Sequence, residues 1–219
     1  MQQSSTLGRM NTVDATRCTL EPLAVAHAGE MFGVLSDPAI YEFENEPPPS
    51  AAWLAERYAR LERRASSDGS QVWLNWVLRL PSGELAGYVQ ASVLRSGAAL
   101  VAYELASRHW RKGIGRCAVA AMLEELRTAY SVSVFVAVLK AVNYRSLGLL
   151  RSLGFQPASP QQVVEFGAEP DEAVMVKPAV STEHAALHFA RACPPPCAAQ
   201  LKCKASPSLP SCSVVLSDP

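Results

Sequence analysis

The spacing of apolar residues predicts four helices between residues 22 and 154. From Pro22 to Leu35, apolar side chains recur at the three- and four-residue spacing of one helical face. A second helix begins at Ser50, whose hydroxyl suits an N-cap, and runs to the basic residues 60–64. A third extends from Gly113 to about Tyr130, and a fourth from Asn143 to Gly154. These amphipathic helices need an apolar surface to cover.

Runs of β-branched and aromatic residues predict the strands that supply this surface. Strand-like segments cover 17–21, 71–80, 84–94, 100–105 and 132–139, and residues 162–166 and 173–176 predict a last hairpin. The turn Pro81-Ser-Gly83 joins two of these strands as an antiparallel hairpin. Trp73 and Trp76 cannot share one face of a regular strand, so one is predicted in the core and the other against a ligand or helix.

The two ends of the chain lack such a pattern. Residues 1–15 are polar and predict a disordered leader. Residues 181–219 contain 4 of the 6 cysteines, at C-x₃-C and C-x₅-C spacings that match zinc sites poorly. We therefore predict one domain over residues 16–178 and a disordered tail rich in proline, serine and cysteine over 179–219.

Composition narrows the class of protein. With 219 residues, 49% hydrophobic content and a formal net charge of zero, the chain suffices for one well-packed domain and gives no electrostatic case for nucleic-acid binding. It contains no run of 18 apolar residues and no signal-peptide pattern. We expect a cytoplasmic protein without nucleic-acid or membrane partners.

A glycine turn between a strand and a helix indicates an anion-binding site. Gly113-Ile-Gly115 opens the third helix, and Arg111, Lys112 and Arg116 place positive charge around it. Free amides at a helix N-terminus bind phosphate oxygens, so the expected ligand is a phosphorylated cofactor. These glycines are unlike a dinucleotide-binding fingerprint, because about half the chain precedes them and the next strand carries no acidic residue. The P-loop sequence is absent.

Two motifs resemble those of the GNAT superfamily of N-acetyltransferases. Trp110-Arg-Lys-Gly-Ile-Gly115 is similar to the acetyl-CoA pyrophosphate loop Q/R-x-x-G-x-G/A, with Trp110 in the first position. Asn143-Tyr-Arg-Ser146, followed by Leu153-Gly-Phe155, is similar to the N-x-x-S and L-G-F elements of one branch. That branch contains ribosomal-protein N-terminal and aminoglycoside-type acetyltransferases.

This resemblance implies a mixed α+β fold, with a single domain and a mostly antiparallel central sheet carrying helices on both faces. Two neighbouring parallel strands, 100–106 and 132–139, would splay apart to admit the pantetheine arm of acetyl-CoA. No metal is expected. The residues implied in cofactor binding are Leu105, Ala106, Arg111, Lys112, Gly113, Ile114, Gly115, Arg116 and Asn143. A backbone N–H near Leu105 would stabilise the oxyanion.

Three residues are candidates for catalysis: Glu104, Asn143 and Ser146. A carboxylate in an apolar strand has the environment that raises a pKa, so Glu104 is the candidate general base; the alternative is an ordinary solvent-facing or ion-paired glutamate. For Asn143 and Ser146 the alternative is a plain helix cap. Many family members carry a tyrosine that protonates the leaving thiolate, where this chain has Leu150. Tyr103 and His109 are weaker candidates, and His109 is predicted to be exposed.

The segment Ile40–Pro49 combines aromatic, acidic and proline residues. In GNAT-like folds the loop between the first two helices lines the acceptor pocket, so Tyr41, Phe43, Glu44 and also Trp73 are predicted to contact the acceptor. The alternative is a solvated acidic turn. The favoured function is acetyl-CoA-dependent N-acetylation of a small amine or a peptide N-terminus by a monomer or homodimer. The alternative is a catalytically silent acyl-CoA-binding sensor.

Overall fold

The computed structural model describes residues 10–179 and contains one eight-stranded sheet in the order β1-β2-β3-β4-β5-β6-β8-β7. The strands are β1 (Val13–Ala15), β2 (Cys18–Pro22), β3 (Gln71–Arg79), β4 (Leu85–Leu94), β5 (Ala98–Leu105), β6 (Val134–Lys140), β7 (Gln156–Pro157) and β8 (Glu172–Pro178). All neighbouring strands are antiparallel except β5 and β6. The predicted tail, apart from its first residue Ala179, lies outside the described residues.

Helices cover both faces of this sheet. They are α1 (Ala28–Leu35), α2 (Ala51–Leu61), α3 (Ile114–Ala129), α4 (Tyr144–Ser152) and α5 (Pro160–Glu165), with 3-10 turns at Val25–His27, Pro38–Tyr41 and Ser107–His109. As predicted, Ser50 caps α2, because its hydroxyl accepts a hydrogen bond from Trp53 N at 3.1 Å. The predicted α+β architecture is confirmed.

The two larger apolar clusters of the described residues lie on opposite faces of the sheet. On one face α3 packs over a cluster that contains Trp76, Val89 and Met122. On the other face α1 and α2 cover a cluster that contains Val77 and Tyr58, with Tyr88 and Trp73 packed against it. Trp76 is therefore the core tryptophan and Trp73 the one that faces helices, as their spacing predicted.

The parallel strand pair separates part way along its length. Pairing joins Ala98, Ala99 and Leu100 to Val134, Phe135 and Val136, and ends there although both strands continue. Beyond Leu100, β5 stays paired to β4 and β6 to β8, so a gap opens between β5 and β6. This is the splayed pair that the resemblance implied.

Two predicted segments differ in the structure. Residues 162–166, predicted as a strand, lie mostly in α5, because Ser159 and Gln162 form a reciprocal capping box and Pro160 occupies the first helical turn. β8 pairs on one side with β6, and its partner on the other side is β7 instead of the predicted strand. Residues 10–15, predicted as part of the leader, belong to the folded domain: β1 pairs with β2, and the Asn11 carbonyl accepts a hydrogen bond from the Trp76 indole at 2.9 Å. The rest of the predicted leader lies outside the described residues.

Gly87 allows β4 and β5 to approach each other closely. A Cβ at this position would lie 2.9 Å from Leu105 Cα and would overlap the Glu104 carbonyl oxygen. We expect Gly87→Ala to lower the free energy of unfolding by about 3 kcal/mol, measured by urea denaturation. Gly33→Ala is the matched control: it lies in α1 with nothing near the added Cβ, so it should stabilise by about 0.5–1 kcal/mol. Equal effects from the two substitutions would contradict this packing.

Candidate active site

A cavity of about 910 Å³ opens where β5 and β6 separate. The loop that precedes α2 and one side of α2 line it, as do the N-termini of α3 and α4. The predicted site residues that line it are Tyr41, Phe43, Glu44, Glu104, Leu105, Arg111, Gly113, Ile114, Gly115, Arg116, Asn143 and Ser146. Ala106, Lys112 and Trp73 do not line it.

The glycine turn presents free amides to this cavity. Gly113 is the N-cap of α3 with φ 77°, a left-handed conformation that favours glycine. Cys117 N donates the first intrahelical hydrogen bond, to Gly113 O at 3.0 Å, so the amides of Ile114, Gly115 and Arg116 have no intrahelical acceptor. With the positive end of the helix dipole behind them, these amides can bind a pyrophosphate.

One cation beside this turn was missed from the sequence. A Cβ added at Gly113 would lie 3.4 Å from Arg17 Nε, which places the guanidinium of Arg17 against the turn. Arg17 is about a hundred residues away in the chain and comes close only because β2 packs near α3. No local sequence signal indicates this contact.

The end of β5 directs backbone groups into the gap between the splayed strands. Ala106 N donates to Ala86 O at 2.9 Å, and antiparallel bonding alternates, so the N–H and C=O of Leu105 point away from β4. The Trp110 indole donates to the Leu105 carbonyl at 2.7 Å. The indole thus satisfies the Leu105 carbonyl, while the Leu105 N–H stays directed toward the gap. This hydrogen bond gives a physical role to Trp110, which stands where the family motif has Gln or Arg.

Glu104 lies on the cavity side of β5, opposite Tyr88 on β4. It is half-buried, and burial raises its pKa from 4.5 to about 7, while a hydrogen bond from the Tyr88 hydroxyl and the charge of Arg57 act in the opposite direction. Glu44, which also lines the cavity, raises the pKa further. A carboxylate with this pKa can accept a proton near neutral pH.

Asn143 and Ser146 have the contacts of a helix cap. Asn143 Oδ1 accepts from Ser146 N at 3.1 Å, at the start of α4. The Ser146 carbonyl accepts from the Tyr103 hydroxyl at 3.3 Å. Both residues also line the cavity, so contact with a ligand stays a prediction. Leu150, at the family's tyrosine position, lies in the cavity wall and supplies no proton.

Arg145, at the start of α4, contacts both the loop that precedes α2 and Trp110. Its guanidinium binds Glu42 at 2.6 Å, and its Cζ lies 4.6 Å from the ring centroid of Trp110 and 5.3 Å from that of Phe43. Phe43 in turn packs edge-to-face on Tyr144, with ring centroids 5.7 Å apart. The loop is therefore held at the cavity mouth by charge and cation–π contacts.

His109 differs from its predicted exposed position. The 3-10 turn after β5 folds inward, leaving His109 only 6% exposed, with Nε2 3.4 Å from Glu84 Oε1 but without hydrogen-bond alignment. Burial, followed by the charge of Arg108, lowers its pKa, which favours the neutral imidazole. The polar neighbours Ser107, Arg108 and Arg111 gave no sequence signal of this burial.

Two further findings concern residues 10–179. Within this range no group of three or more His, Cys, Asp or Glu side chains could hold a metal ion. Nor does any helix there have the length and apolar character needed to cross a bilayer.

A family model described as an acetyltransferase (GNAT) domain matches residues 17–156. No curated protein matches the chain in sequence.

Among solved structures, ribosomal-protein-S5-alanine acetyltransferase from Vibrio fischeri is 18% identical, with a TM-score of 0.64 and coverage of 78% of this chain and 97% of that one. RimJ from Mycobacterium smegmatis, in complex with CoA-disulfide, is 19% identical, with a TM-score of 0.64 and coverage of 77% and 88%. A spermidine N-acetyltransferase chimera from Vibrio cholerae and hSSAT is also 19% identical, with a TM-score of 0.61 and coverage of 75% and 96%. These structural likenesses show the fold alone. The family model covers well over half of the chain, and it identifies this protein as a member of the GNAT acetyltransferase family.

Proposed function

We propose that this protein is an acetyl-CoA-dependent N-acetyltransferase that acetylates a primary amine. The observation that carries the proposal is the position of Glu104: a carboxylate with a pKa near 7 lines the same cavity as the glycine turn and the gap between the splayed strands. Cofactor binding and proton removal can therefore occur in one enclosed space. The CoA complex of RimJ supports the choice of cofactor by analogy of fold.

Three groups of the chain would act on the reactants. The free amides at the start of α3 bind the pyrophosphate, and the Leu105 N–H donates to the thioester oxygen as negative charge develops on it. Glu104 accepts a proton from the amine, directly or through a water, so that the nitrogen lone pair can attack the carbonyl carbon. The thiolate then leaves as the amide forms. Because Leu150 replaces the family's tyrosine, this thiolate takes its proton from solvent or from the acid form of Glu104.

The test is release of free CoA thiol when the protein is mixed with acetyl-CoA and a panel of primary amines. The proposal predicts thiol release that depends on the amine and yields one N-acetyl product for each thiol. Binding of acetyl-CoA without thiol release from any amine would support the silent acyl-CoA-binding sensor instead. Leu150 is the feature of the chain that favours this second function.

Tyr88 should adjust the pH at which Glu104 works. Its hydroxyl donates a hydrogen bond to the charged form of Glu104 and so lowers the pKa of that carboxyl. In Tyr88→Phe the pKa of Glu104 should rise, and the acidic limb of the pH dependence of kcat/KM should move to higher pH. Tyr130→Phe removes a hydroxyl at the end of α3, away from the cavity, and should leave the limb in place. A limb that stays fixed in Tyr88→Phe would show that the limb does not report Glu104.

A further inference from the structure

The acceptor side of the cavity has a second polar region, separate from Glu104. Strand register forms three rows of neighbouring residues across β3, β4 and β5. The first row contains Tyr88 and Glu104, the second Asn75, Gln90 and Ala102, and the third Trp73, Ser92 and Leu100. These three rows lie on the sheet face that α1 and α2 cover. Gln90 and Asn75 are thus one row from Glu104, and Ser92 and Trp73 are two rows away.

The polar groups of these rows surround a recess that continues the cavity. The recess has a volume of about 10 Å³. Four residues line both the recess and the cavity: Arg57, Leu61, Asn75 and Gln90. Three more line the recess but not the cavity: Trp73, Ala91 and Ser92. Its size suits a single oxygen atom. Trp73, predicted as an acceptor contact, therefore borders this recess rather than the main cavity.

Several polar atoms around this region lack protein partners. Asn75 is only 6% exposed, and among residues 10–179 neither its side-chain amide nor that of Gln90 forms a hydrogen bond. On α2, the Tyr58 hydroxyl and Arg60 Nε are fully buried without a hydrogen-bond partner in the described part of the chain. Both residues line the cavity. Buried polar groups are normally satisfied, so this concentration indicates a ligand with hydrogen-bonding atoms.

The chemistry of the groups selects the ligand. The side-chain amides of Asn75 and Gln90 supply N–H donors, and the Arg57 guanidinium that lines the same recess contributes positive charge, a combination that suits an oxyanion such as a carboxylate. A second ammonium group would instead meet the positive charges of Arg57 and Arg60. On the basis of the acetyltransferase function proposed above, we propose that the acceptor is an amine whose far end carries a carboxylate, bound by Arg57, Asn75 and Gln90.

Strand geometry also sets the length of this acceptor. Two residues along a strand span about 7 Å, which is the separation between the row of Glu104 and the row of Gln90 and Asn75. An α-amino acid is too short to place its amine at the first row and its carboxylate at the second. An extended ω-amino acid, with about five bonds between amine nitrogen and carboxyl carbon, spans the two.

The test compares matched acceptors by thiol release from acetyl-CoA with the full-length protein. The probes are 5-aminopentanoate, pentylamine, which lacks the carboxylate, and glycine, which is too short. We expect kcat/KM for 5-aminopentanoate to exceed that for pentylamine by about tenfold or more, because hydrogen bonds to a charged group are among the stronger ones. Glycine should be the slowest of the three.

Two variants locate the carboxylate. Gln90→Met and Asn75→Leu retain side-chain size and remove the amides, so each should lower the ratio of 5-aminopentanoate to pentylamine about tenfold. Gln90 is half-buried, so its variant keeps the test valid if Asn75→Leu fails to fold. Gln161→Met, on the exposed surface of α5, is the matched control and should leave the ratio unchanged.

The outcomes separate this inference from the proposed function. Thiol release that is as fast with pentylamine as with 5-aminopentanoate would overturn the carboxylate site and leave the transferase standing. An unchanged ratio in both folded variants would overturn the assignment to Asn75 and Gln90. Bound acetyl-CoA with no thiol release from any amine would contradict the transferase itself, and the inference with it.

Discussion

Replacing Glu104 with glutamine should lower kcat by a factor on the order of 10² or more, because general-base catalysis typically contributes that much. The substitution preserves size and hydrogen-bonding capacity but removes the group that accepts the proton. The affinity for acetyl-CoA, measured by calorimetric titration, should stay within a few-fold of the unmodified protein. The cofactor contacts that we propose lie at the start of α3 and along the strand gap, not on the Glu104 side chain.

Glu56→Gln is the matched control for this result. Glu56 lies on the exposed side of α2 and outside the cavity, so the same change of charge there should leave kcat unchanged. A folded Glu104→Gln protein with kcat within a few-fold of normal would show that the amine loses its proton without this carboxylate. Positioning by Asn143 and the backbone amides would then supply the catalysis.

Gly113→Glu should abolish acetyl-CoA binding while the domain stays folded. It puts a carboxylate where the pyrophosphate is expected, and that carboxylate also competes for the guanidinium of Arg17. The left-handed φ of 77° adds backbone strain on the order of 1 kcal/mol, too little to unfold a domain of this size. Calorimetric titration measures the loss of binding, and a thermal melt checks the fold.

Gly148→Glu provides the control for added charge. Gly148 is exposed on α4, outside the cavity, and nothing lies near a Cβ at this position. Its affinity for acetyl-CoA should equal that of the unmodified protein. Near-normal affinity in a folded Gly113→Glu protein would remove the glycine turn from the cofactor site.

Local sequence features account for most of the fold. The apolar periodicities of α2 and α3, the turn at Pro81-Ser-Gly83 and the glycines at the start of α3 depend on residues a few positions apart, and all were predicted correctly. The segment 162–166 was predicted wrongly because its β-branched residues suggested a strand, whereas the capping box of Ser159 and Gln162 starts a helix.

Site residues could be predicted from the sequence only where they belong to a single strand or turn. Glu104 stood out as one carboxylate in an apolar strand, and burial there raises its pKa to about 7, as that reasoning expects. Tyr88 and Arg57 escaped notice because strand register and helix packing bring them to Glu104 from distant parts of the chain. The contact of Arg145 with Trp110 likewise depends on the tertiary structure.

The pH dependence of kcat/KM tests the central claim, that Glu104 removes the proton from the amine. Burial leaves Glu104 with a pKa of about 7, and its charged form is the base, so activity should rise with pH through this value and level off above it. In Glu104→Gln this limb should disappear. A limb only near pH 10, at about the pKa of a free alkylamine, would show that the amine arrives already neutral and would contradict the claim.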